Sequence, residues 1–402
     1  MIIFMQRKRN YVIFILMMVI PFNQIMAQEN KSVNMRQLIK ENFQFAAEQY
    51  KLLINNTPSD KMPRTYKDGK LLTSGVDWWT SGFVPGSLWL IYENTGDALI
   101  RSEAEKKLQI EEPMKHYTGN HDIGFMIFCS FGNAYRITHD AKYKAVIDTA
   151  AAYQSTRYKP SIHAIQSWNR TNKFQCPVII DNMMNLEQLC WVSTNSSDRK
   201  YINIAIEHAN TTMKNHFRND YSSYHVVDYD INSGSVLKKG THQGLSDSSA
   251  WSRGQSWALY GYTMMYRYTK DEAYLKQASH IADFILHHTN LPADRIPYWD
   301  YNAPVTDTTL RDASAASVMA SAFLELAQYS NGKQKAEYIQ TAKQILITLS
   351  SDRYRSRSGE NAGFVLKHSV GSLPGNSEVD VPLTYADYYF LEALKRYRDW
   401  YL

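Results

Sequence analysis

Two aspartates with positions suited to acid–base chemistry stand at the predicted starts of two helices. Asp122 lies in the segment HDIGF, and Asp181 opens the segment DNMMNL. Because aspartate is a favoured helix N-cap, each carboxylate could do no more than cap its helix. Two carboxyl groups at one site can instead form a pair, in which repulsion raises one pKa and keeps one acid protonated. From the residues alone, both interpretations stay open.

Tryptophans stand at or near the ends of several predicted loops. Trp78 and Trp79 close one loop, and Trp251 and Trp257 lie at another loop-to-helix junction. Aromatic rings suit the apolar faces of sugars, and polar neighbours suit the hydroxyl groups of sugars. Packing in the core is the alternative for every one of these rings.

The densest polar stretch runs from Thr241 to Trp257 and contains Gln243 and Arg253. An arginine there could hold a substrate carboxylate through two parallel hydrogen bonds. The alternative is an amphipathic helix in which Arg253 pairs with a structural acid.

The elements that must position these residues are helices, because helical periodicity covers almost the whole chain after its N-terminal segment. The predicted helices are 33–54, 82–97, 101–118, 122–136, 140–158, 181–194, 197–217, 251–269, 271–289, 313–330, 333–350 and 384–400. Long connections are predicted at 55–81, 159–180, 218–250, 290–312 and 351–383. Short strands are predicted at 224–227 and 363–366.

Long and short connections alternate, which is typical of stacked helical hairpins with the long, functional loops at one end. The link at 119–121 is an exception, because it is short where the alternation requires a long loop. Six hairpins can close into a ring, and helices rich in small and apolar residues suit its inner layer. We therefore predict an all-α fold, a single (α/α)6 barrel of six helical hairpins over 28–402, with both aspartates at its mouth. An open helical solenoid is the alternative.

The first residues have the three-part pattern of a secretory signal. Arg7, Lys8 and Arg9 precede an apolar run at 11–22, and Ala27 offers a small residue at a cleavage point. The apolar run is short for a membrane span. We predict a signal peptide at 1–27 and an exported, periplasmic protein with no membrane partner after signal removal. A buried helix is the alternative.

Composition and the absence of several motifs argue against nucleic-acid binding and against a metal or nucleotide cofactor. The formal net charge is +5, and three of the positive charges lie in the predicted signal, so the remainder gives no basis for binding nucleic acid. The three cysteines form no CxxC pair, and no HExxH, P-loop or GxGxxG motif occurs. No metal and no cofactor is predicted.

Six motifs in the right order make the chain resemble the family 88 glycoside hydrolases, the unsaturated glucuronyl hydrolases. The motifs are HDIGF at 121–125, DNMMNL at 181–186, HQGLSDSSAWSRGQSWALYGY at 242–262, IPYWDYNAP at 296–304, DASAASVMASAFLEL at 312–326 and SEVDVPLTYADYYFLEAL at 377–394. The resemblance implies an (α/α)6 barrel and a metal-free reaction.

The resemblance also implies roles for individual residues. Asp181 matches the general acid and base, and Asp122 matches its partner carboxylate. Further matches to substrate-binding positions are His225, Gln243, Trp251, Arg253 and Trp257, and Trp79 is a further candidate on its loop. A tryptophan that the family can carry is Ser249 here, and this departure bears on the preference for the acceptor sugar.

The implied substrate is an oligosaccharide, of glycosaminoglycan origin, that ends in the 4,5-unsaturated uronic acid left by a polysaccharide lyase. This residue is a vinyl ether, and hydration of its double bond, with Asp181 as acid and then base, would release it. The alternatives are an unsaturated rhamnogalacturonyl hydrolase, a non-catalytic periplasmic glycan-binding barrel and a polysaccharide lyase on the same fold. Neither the acceptor sugar nor the oligomeric state follows from the sequence.

Basic residues on the predicted loop 351–383 suggest where an anionic acceptor could bind. Lys367 and His368 precede Gly371, in a segment with Gly and Pro that is expected to turn sharply. We predict that this pair binds a sulfate or second carboxylate of the substrate. A solvated basic loop is the alternative.

Overall fold

The computed structural model describes residues 33–402, so the predicted signal peptide at 1–27 lies outside the described residues. Met35–Leu402 form one compact unit. No helix among the described residues is long and apolar enough to cross a membrane.

Helices dominate this unit and alternate between an outer and an inner layer. The outer helices are α1 (Met35–Asn55), α3 (Ala98–Glu111), α5 (Ala141–Ser155), α7 (Lys200–Asn215), α9 (Glu272–His287) and α11 (Gly332–Leu349). The inner helices are α2 (Phe83–Thr95), α4 (Asn133–Thr138) with a π-helical stretch before it (Gly124–Gly132), α6 (Asn182–Thr194), α8 (Ser252–Thr269), α10 (Ala313–Leu326) and α12 (Thr384–Tyr401).

The inner helices close into a ring. Helix α2 packs against the π-helical stretch, which packs against α6, and α6 packs against α8. Helix α10 packs against both α8 and α12, and α12 returns to α2. This closure confirms the predicted (α/α)6 barrel, and the open solenoid is wrong.

Composition explains which helices form the inner layer. All 14 residues of α10 are buried, because its Ala and Ser residues let neighbouring helices approach from every side. Outer α11 buries one face, on which Tyr338, Ala342 and Leu346 recur at helical spacing, and leaves its lysines exposed or half-buried. An inner helix therefore has no polar stripe, whereas an outer helix keeps one.

Three of the short links share one construction at the end of the barrel away from the long loops. Helices α2, α4 and α8 are followed by a residue in the left-handed conformation, which is Gly96, His139 or Lys270. An aspartate then caps the next outer helix through its side chain, and these caps are Asp97, Asp140 and Asp271. Such tight turns leave the long loops gathered at the opposite end.

Two predicted elements differ from the structure. The predicted helix 101–118 ends at Glu111 and a 3-10 turn follows at Glu112–His116, so the link to the next inner helix is longer than predicted and the alternation of links holds. The predicted strand 363–366 is wrong, because Gly363 ends a 3-10 turn and only Leu366 forms an isolated bridge, with Arg355.

Small antiparallel sheets stiffen the long loops. They are the hairpin β1 (Met62–Lys67) with β2 (Lys70–Ser74), the hairpin β3 (Tyr158–Lys159) with β4 (Ala164–Ile165), the sheet β5 (Pro177–Ile179), β6 (Val226–Tyr229) and β7 (Val236–Gly240), and the hairpin β8 (Ser369–Ser372) with β9 (Ser377–Val381). Strand β6 overlaps the predicted strand 224–227.

Candidate active site

A cavity of about 760 Å³ opens among the long loops at the mouth of the barrel. Its lining combines two carboxylates with aromatic and polar side chains. The lining residues are Trp78, Trp79, Asn120, His121, Asp122, Ser167, Trp168, Thr171, Asn172, Lys173, Phe174, Ile179, Asp181, His242, Gln243 and Arg253. The two predicted catalytic aspartates therefore share one cavity.

Strand pairing brings Asp181 beside His225. In the pairing of β5 with β6, Ile179 lies opposite Val226, and Ile180 N donates to the carbonyl of His225 at 3.0 Å. Asp181 follows directly and precedes α6, but its side chain makes no capping hydrogen bond. The carboxyl group is therefore free for chemistry, and the helix-cap interpretation is wrong for this residue.

Asp122 reaches the cavity through a close approach of two inner helices. A Cβ atom on Gly124 would lie 2.7 Å from the Cα of Asn185, so only glycine fits there. Asn185 Oδ1 accepts a hydrogen bond from Phe125 N at 2.7 Å, which locks the π-helical stretch to α6. The N-cap position of this stretch is Ile123 and no side chain caps it, so Asp122 is not a cap either.

Burial makes both carboxyl groups weak acids. Burial raises the pKa of Asp181 to about 7, while the charge of Arg253 and the Trp257 indole N–H act to lower it. Burial also raises the pKa of Asp122 well above its usual value, and the nearby charge of Asp181 raises it further, against Arg157. Two such carboxyls in one cavity favour retention of a proton near neutral pH.

His225 is held in one neutral tautomer. Its Nδ1 atom accepts hydrogen bonds from the backbone N–H groups of His242 and Gln243, at 3.0 and 3.1 Å. Burial lowers the pKa of His225 well below its usual value, so the remaining proton resides on Nε2. That atom lies 3.6 Å from Oδ2 of Asp181.

Neighbouring residues hold the Nη atoms of Arg253. Its Nη1 atom donates to Asp312 at 3.0 Å and to the carbonyl of Val370, and Nη2 donates to the carbonyl of Gly371 at 2.6 Å. Nη2 donates only one of its two N–H groups, and Nε is buried with no partner among the described residues. Nε–H and the second N–H group of Nη2 remain available for a substrate carboxylate, so the two-pronged contact stays a prediction.

Two of the predicted binding residues, Trp251 and Trp257, stand behind the cavity wall. Trp251 lies between the ring of His225, at 4.7 Å, and the guanidinium of Arg253, at 4.5 Å. Trp257 is fully buried beside Asp181. These residues support the wall, whereas Gln243 lines the cavity and donates from Nε2 to the carbonyl of Gly371 at 3.0 Å.

The predicted loop pair does not line the cavity. The Nζ atom of Lys367 donates to the carbonyl of Asp352 at 2.8 Å. The Nδ1 atom of His368 lies 2.8 Å from Oδ1 of Asp380. Both polar groups already have partners, so the structure does not bring them to the two aspartates.

Sequence reasoning missed several lining residues. Trp168 and Lys173 lie on the long loop before Asp181, and Trp168 packs against His242 at 5.9 Å. Trp78, which the sequence had placed with Trp79 at the end of a loop, also lines the cavity and lies under the guanidinium of Arg64 at 4.3 Å. The available signal for Trp168 was a tryptophan within a predicted long loop, since a position on such a loop pointed to Trp79.

No group of three or more His, Cys, Asp and Glu side chains in residues 33–402 is arranged to hold a metal ion. The cavity thus offers two weakly acidic carboxyls, the neutral histidines His121 and His225 beside them, and hydrogen-bond donors set among aromatic rings.

The family model described as Glycosyl Hydrolase Family 88 matches residues 54–400. The unsaturated glucuronyl hydrolase of Formosa agariphila is 48% identical over 320 residues, which are 79% of each chain. The unsaturated glucuronyl hydrolase of Bacillus sp. is 32% identical over 348 residues, 84% of this chain and 91% of that one.

Solved structures agree with these relatives. An unsaturated glucuronyl hydrolase specific for heparin superposes with a TM-score of 0.87 at 46% identity, covering 90% of this chain and 97% of that chain. An Asp-to-Asn mutant of the Streptococcus agalactiae unsaturated glucuronyl hydrolase, complexed with dGlcA-GalNAc6S, superposes with a TM-score of 0.77 at 27% identity, covering 90% and 92%.

Proposed function

This chain belongs to Glycosyl Hydrolase Family 88, and from that membership we propose that it removes the 4,5-unsaturated uronic acid from the non-reducing end of lyase-generated glycosaminoglycan oligosaccharides. The observation that carries the proposal is the pair Asp122 and Asp181, which share one cavity and cap no helix. Relatives described as specific for heparin and as degrading glycosaminoglycan support the substrate class.

The reaction hydrates a vinyl ether and begins with a proton. Protonated Asp181 delivers its proton to C4, and positive charge develops at C5 and the ring oxygen. Water then forms a bond to C5 while the Asp181 carboxylate takes the water proton, so the acid is regenerated. The C5 hemiketal opens to a ketone, and the hemiacetal left at C1 expels the acceptor sugar.

The site matches these demands. A pKa of about 7 keeps a large share of Asp181 protonated near neutral pH. The carboxyl group of an exposed aspartate would be almost fully ionised at that pH. The Nε2–H group of His225 and the Nε–H group of Arg253 face this region and can orient a substrate carboxylate or the attacking water. Trp79 and Trp168 supply ring faces for the sugars.

The test is the ultraviolet absorbance of the C4–C5 double bond in an unsaturated uronyl disaccharide. Incubation with the protein should bleach this absorbance and release the acceptor sugar, and a saturated glucuronide should stay intact. Cleavage of the saturated compound at a similar rate would overturn the hydration mechanism, because it has no double bond to protonate.

Two alternatives from the sequence analysis have different outcomes. Family membership makes this chain an enzyme, so the non-catalytic glycan-binding barrel is wrong. An unsaturated rhamnogalacturonyl hydrolase would use the same hydration chemistry, and comparing disaccharides that carry unsaturated glucuronic or galacturonic acid distinguishes the two activities.

We also propose that residues 1–27 direct export and that the enzyme acts in the periplasm. The basic start, the apolar run and Ala27 support this proposal. Fractionation of cells, with N-terminal sequencing of the mature chain, tests it, and a cytoplasmic protein that keeps Met1 would overturn it.

A further inference from the structure

Trp78 and Trp79 are neighbours in the chain, but their rings have different surroundings. Trp79 packs against the rings of Phe125 and Tyr385, at 5.7 and 5.0 Å. Trp78 also lines the active-site cavity and is 36% exposed, and in the described part of the chain no other aromatic ring packs against it. Trp78 therefore keeps an indole surface that the protein itself does not cover.

Arg64 covers one face of the Trp78 ring. Its guanidinium carbon lies 4.3 Å from the ring centroid, and its Nε atom donates to Oε1 of Glu378 at 2.6 Å. A cation is attracted to the negative face of an indole, and the carboxylate fixes the position of that cation. Because Arg64 occupies one face, the exposed surface of Trp78 is on the other face and the ring edge.

Glu378, the anchor of Arg64, has a costly backbone conformation. Its φ angle is +56°, in the left-handed region that residues other than glycine rarely adopt. A Cβ atom on Gly371 of β8 would lie 2.7 Å from the Cβ of Glu378, so the two strands approach too closely for a larger residue. Such conformations persist where the surrounding structure holds them, and they cluster at functional sites. The Glu378 carboxylate is thus a fixed point against which Arg64 is held.

The hairpin of β8 and β9 joins this anchor to the catalytic part of the cavity. The carbonyl of Gly371 accepts hydrogen bonds from Arg253 Nη2 at 2.6 Å and from Gln243 Nε2 at 3.0 Å. On β1, Oγ1 of Thr65 donates to the carbonyl of Pro382, just after β9, at 2.7 Å. One set of contacts therefore holds both the strand that carries the arginine and two residues of the cavity lining.

The two sugars next to the cleaved bond must lie at different depths. The unsaturated ring has to reach Asp181, which is 8% exposed, and the rest of the oligosaccharide continues toward the solvent. Of the tryptophans and phenylalanine that line the cavity, only Trp78 is exposed, whereas Trp79, Trp168 and Phe174 are half-buried. An aromatic face at the cavity rim suits the apolar C–H face of a sugar ring.

Resting on the proposed function, we propose that Trp78 is the platform on which the acceptor sugar stacks, and that Arg64 is a positioning residue that holds this platform from its far side.

The first test compares two substrates of the Trp78→Ala variant. One is an unsaturated uronyl disaccharide, and the other is the methyl glycoside of the same unsaturated uronic acid, which has no acceptor ring. We expect kcat/KM on the disaccharide to fall about 3- to 10-fold, chiefly through KM, and to stay unchanged on the methyl glycoside. Equal losses on both substrates, or no loss on the disaccharide, would overturn the proposal.

Two further variants separate stacking from a general effect on the fold. Trp78→Phe keeps an aromatic face and should retain most of the activity on the disaccharide. Trp400→Ala is the matched control, because Trp400 is 41% exposed, has the guanidinium of Arg396 at 5.3 Å and does not line the cavity. It should leave kcat/KM unchanged on both substrates, and a loss equal to that of Trp78→Ala would overturn the platform.

A double-mutant cycle tests the function of Arg64. Arg64→Ala should raise KM for the disaccharide about 2- to 5-fold with kcat unchanged, because the ring loses its cation, and Arg64→Lys should restore much of the loss. In the Trp78→Ala background, Arg64→Ala should have no further effect. Full additivity of the two losses would show that Arg64 does not act through Trp78, and would overturn its assignment as a positioning residue.

The wild-type enzyme distinguishes this proposal from the proposed function. Wild type that bleaches neither substrate would overturn the proposed function. Wild type that bleaches both with equal kcat/KM would leave the proposed function in place and overturn the platform, because the acceptor ring would then contribute nothing to recognition.

Discussion

The Nε2 atom of His225 lies 3.6 Å from Oδ2 of Asp181, and two backbone N–H groups fix which nitrogen of that imidazole carries the proton. The N–H groups of residues 242 and 243 both point at Nδ1, so Nε2 is the donor and faces the acid. The loop 241–250 therefore sets the tautomer of a side chain that lies just before β6.

We expect His225→Asn to lower kcat, because the variant loses the donor that faces Asp181 and the region of the attacking water. The loss should be about 10- to 100-fold, the equivalent of one hydrogen bond to a charged group. Steady-state kinetics measures it. His163→Asn is the matched control, since His163 pairs with Glu207 outside the cavity and its loss should leave kcat unchanged. Equal effects in the two variants would contradict a specific function for His225.

Asp181→Asn should abolish nearly all turnover and keep the fold, because an amide cannot donate and recover a proton. Circular dichroism and the thermal midpoint check the fold. Asp140→Ala is the control, because Asp140 caps α5 and lies outside the cavity lining. This variant should keep full activity and lose about 1 kcal/mol in the free energy of unfolding. A folded Asp181→Asn enzyme with substantial activity would remove Asp181 from the proton transfer.

The pH dependence of activity should follow the shared proton. Burial raises the pKa of Asp181 to about 7, so the acid form is depleted as pH rises through this value, and kcat/KM should fall on the alkaline side. His225 does not cause this limb, because burial lowers its pKa and it is neutral throughout. A profile that stays flat from pH 6 to 9 would contradict a protonated Asp181 as the acid.

Glu111 provides a test of stability outside the site. Burial raises its pKa to about 8 in the folded chain, above its ordinary value, so its contribution to stability is greatest at low pH and declines as pH rises through about 8. Glu111→Gln removes this titration. The difference in thermal midpoint, variant minus wild type, should therefore increase between pH 5 and pH 9, and a constant difference would show that Glu111 is not buried as a neutral acid.

The preference for a sulfated acceptor is expected to depend on Lys173 more than on Lys367 and His368. Lys173 lines the cavity and forms no ion pair within residues 33–402, whereas the polar groups of the other two already have partners. Lys173→Gln should lower the ratio of kcat/KM on sulfated against unsulfated disaccharides about 2- to 10-fold.

The double variant Lys367→Ala with His368→Ala is the comparison for Lys173. It should change this ratio less. A larger effect in the double variant would restore the loop 351–383 as the anion-binding segment and return Lys173 to the solvated surface.

Local sequence determined the helices, because burial of one face or of all faces leaves a periodic pattern within a single element. It also determined the alternation of long and short loops. That alternation predicted the barrel and the position of both aspartates at its mouth. The exceptions have local and non-local causes. Helix α3 ends at Glu111 because Pro113 has no N–H to donate to the carbonyl of the preceding turn. Residues 365 and 366 form no strand, because their N–H groups donate to the buried carboxylate of Asp387.

Residue types in the motifs identified the two aspartates and the family resemblance, but their states depend on contacts between distant segments. Burial and neighbouring charges from other segments set the pKa values of Asp122 and Asp181. Asp312 and the loop at 370–371 engage the Nη atoms of Arg253, and no local pattern announces such partners. Arg157 belongs to none of the motifs, and only the folded chain brings its charge near Asp122. The electrostatic effect of a group depends on distance and desolvation, not on its position along the sequence.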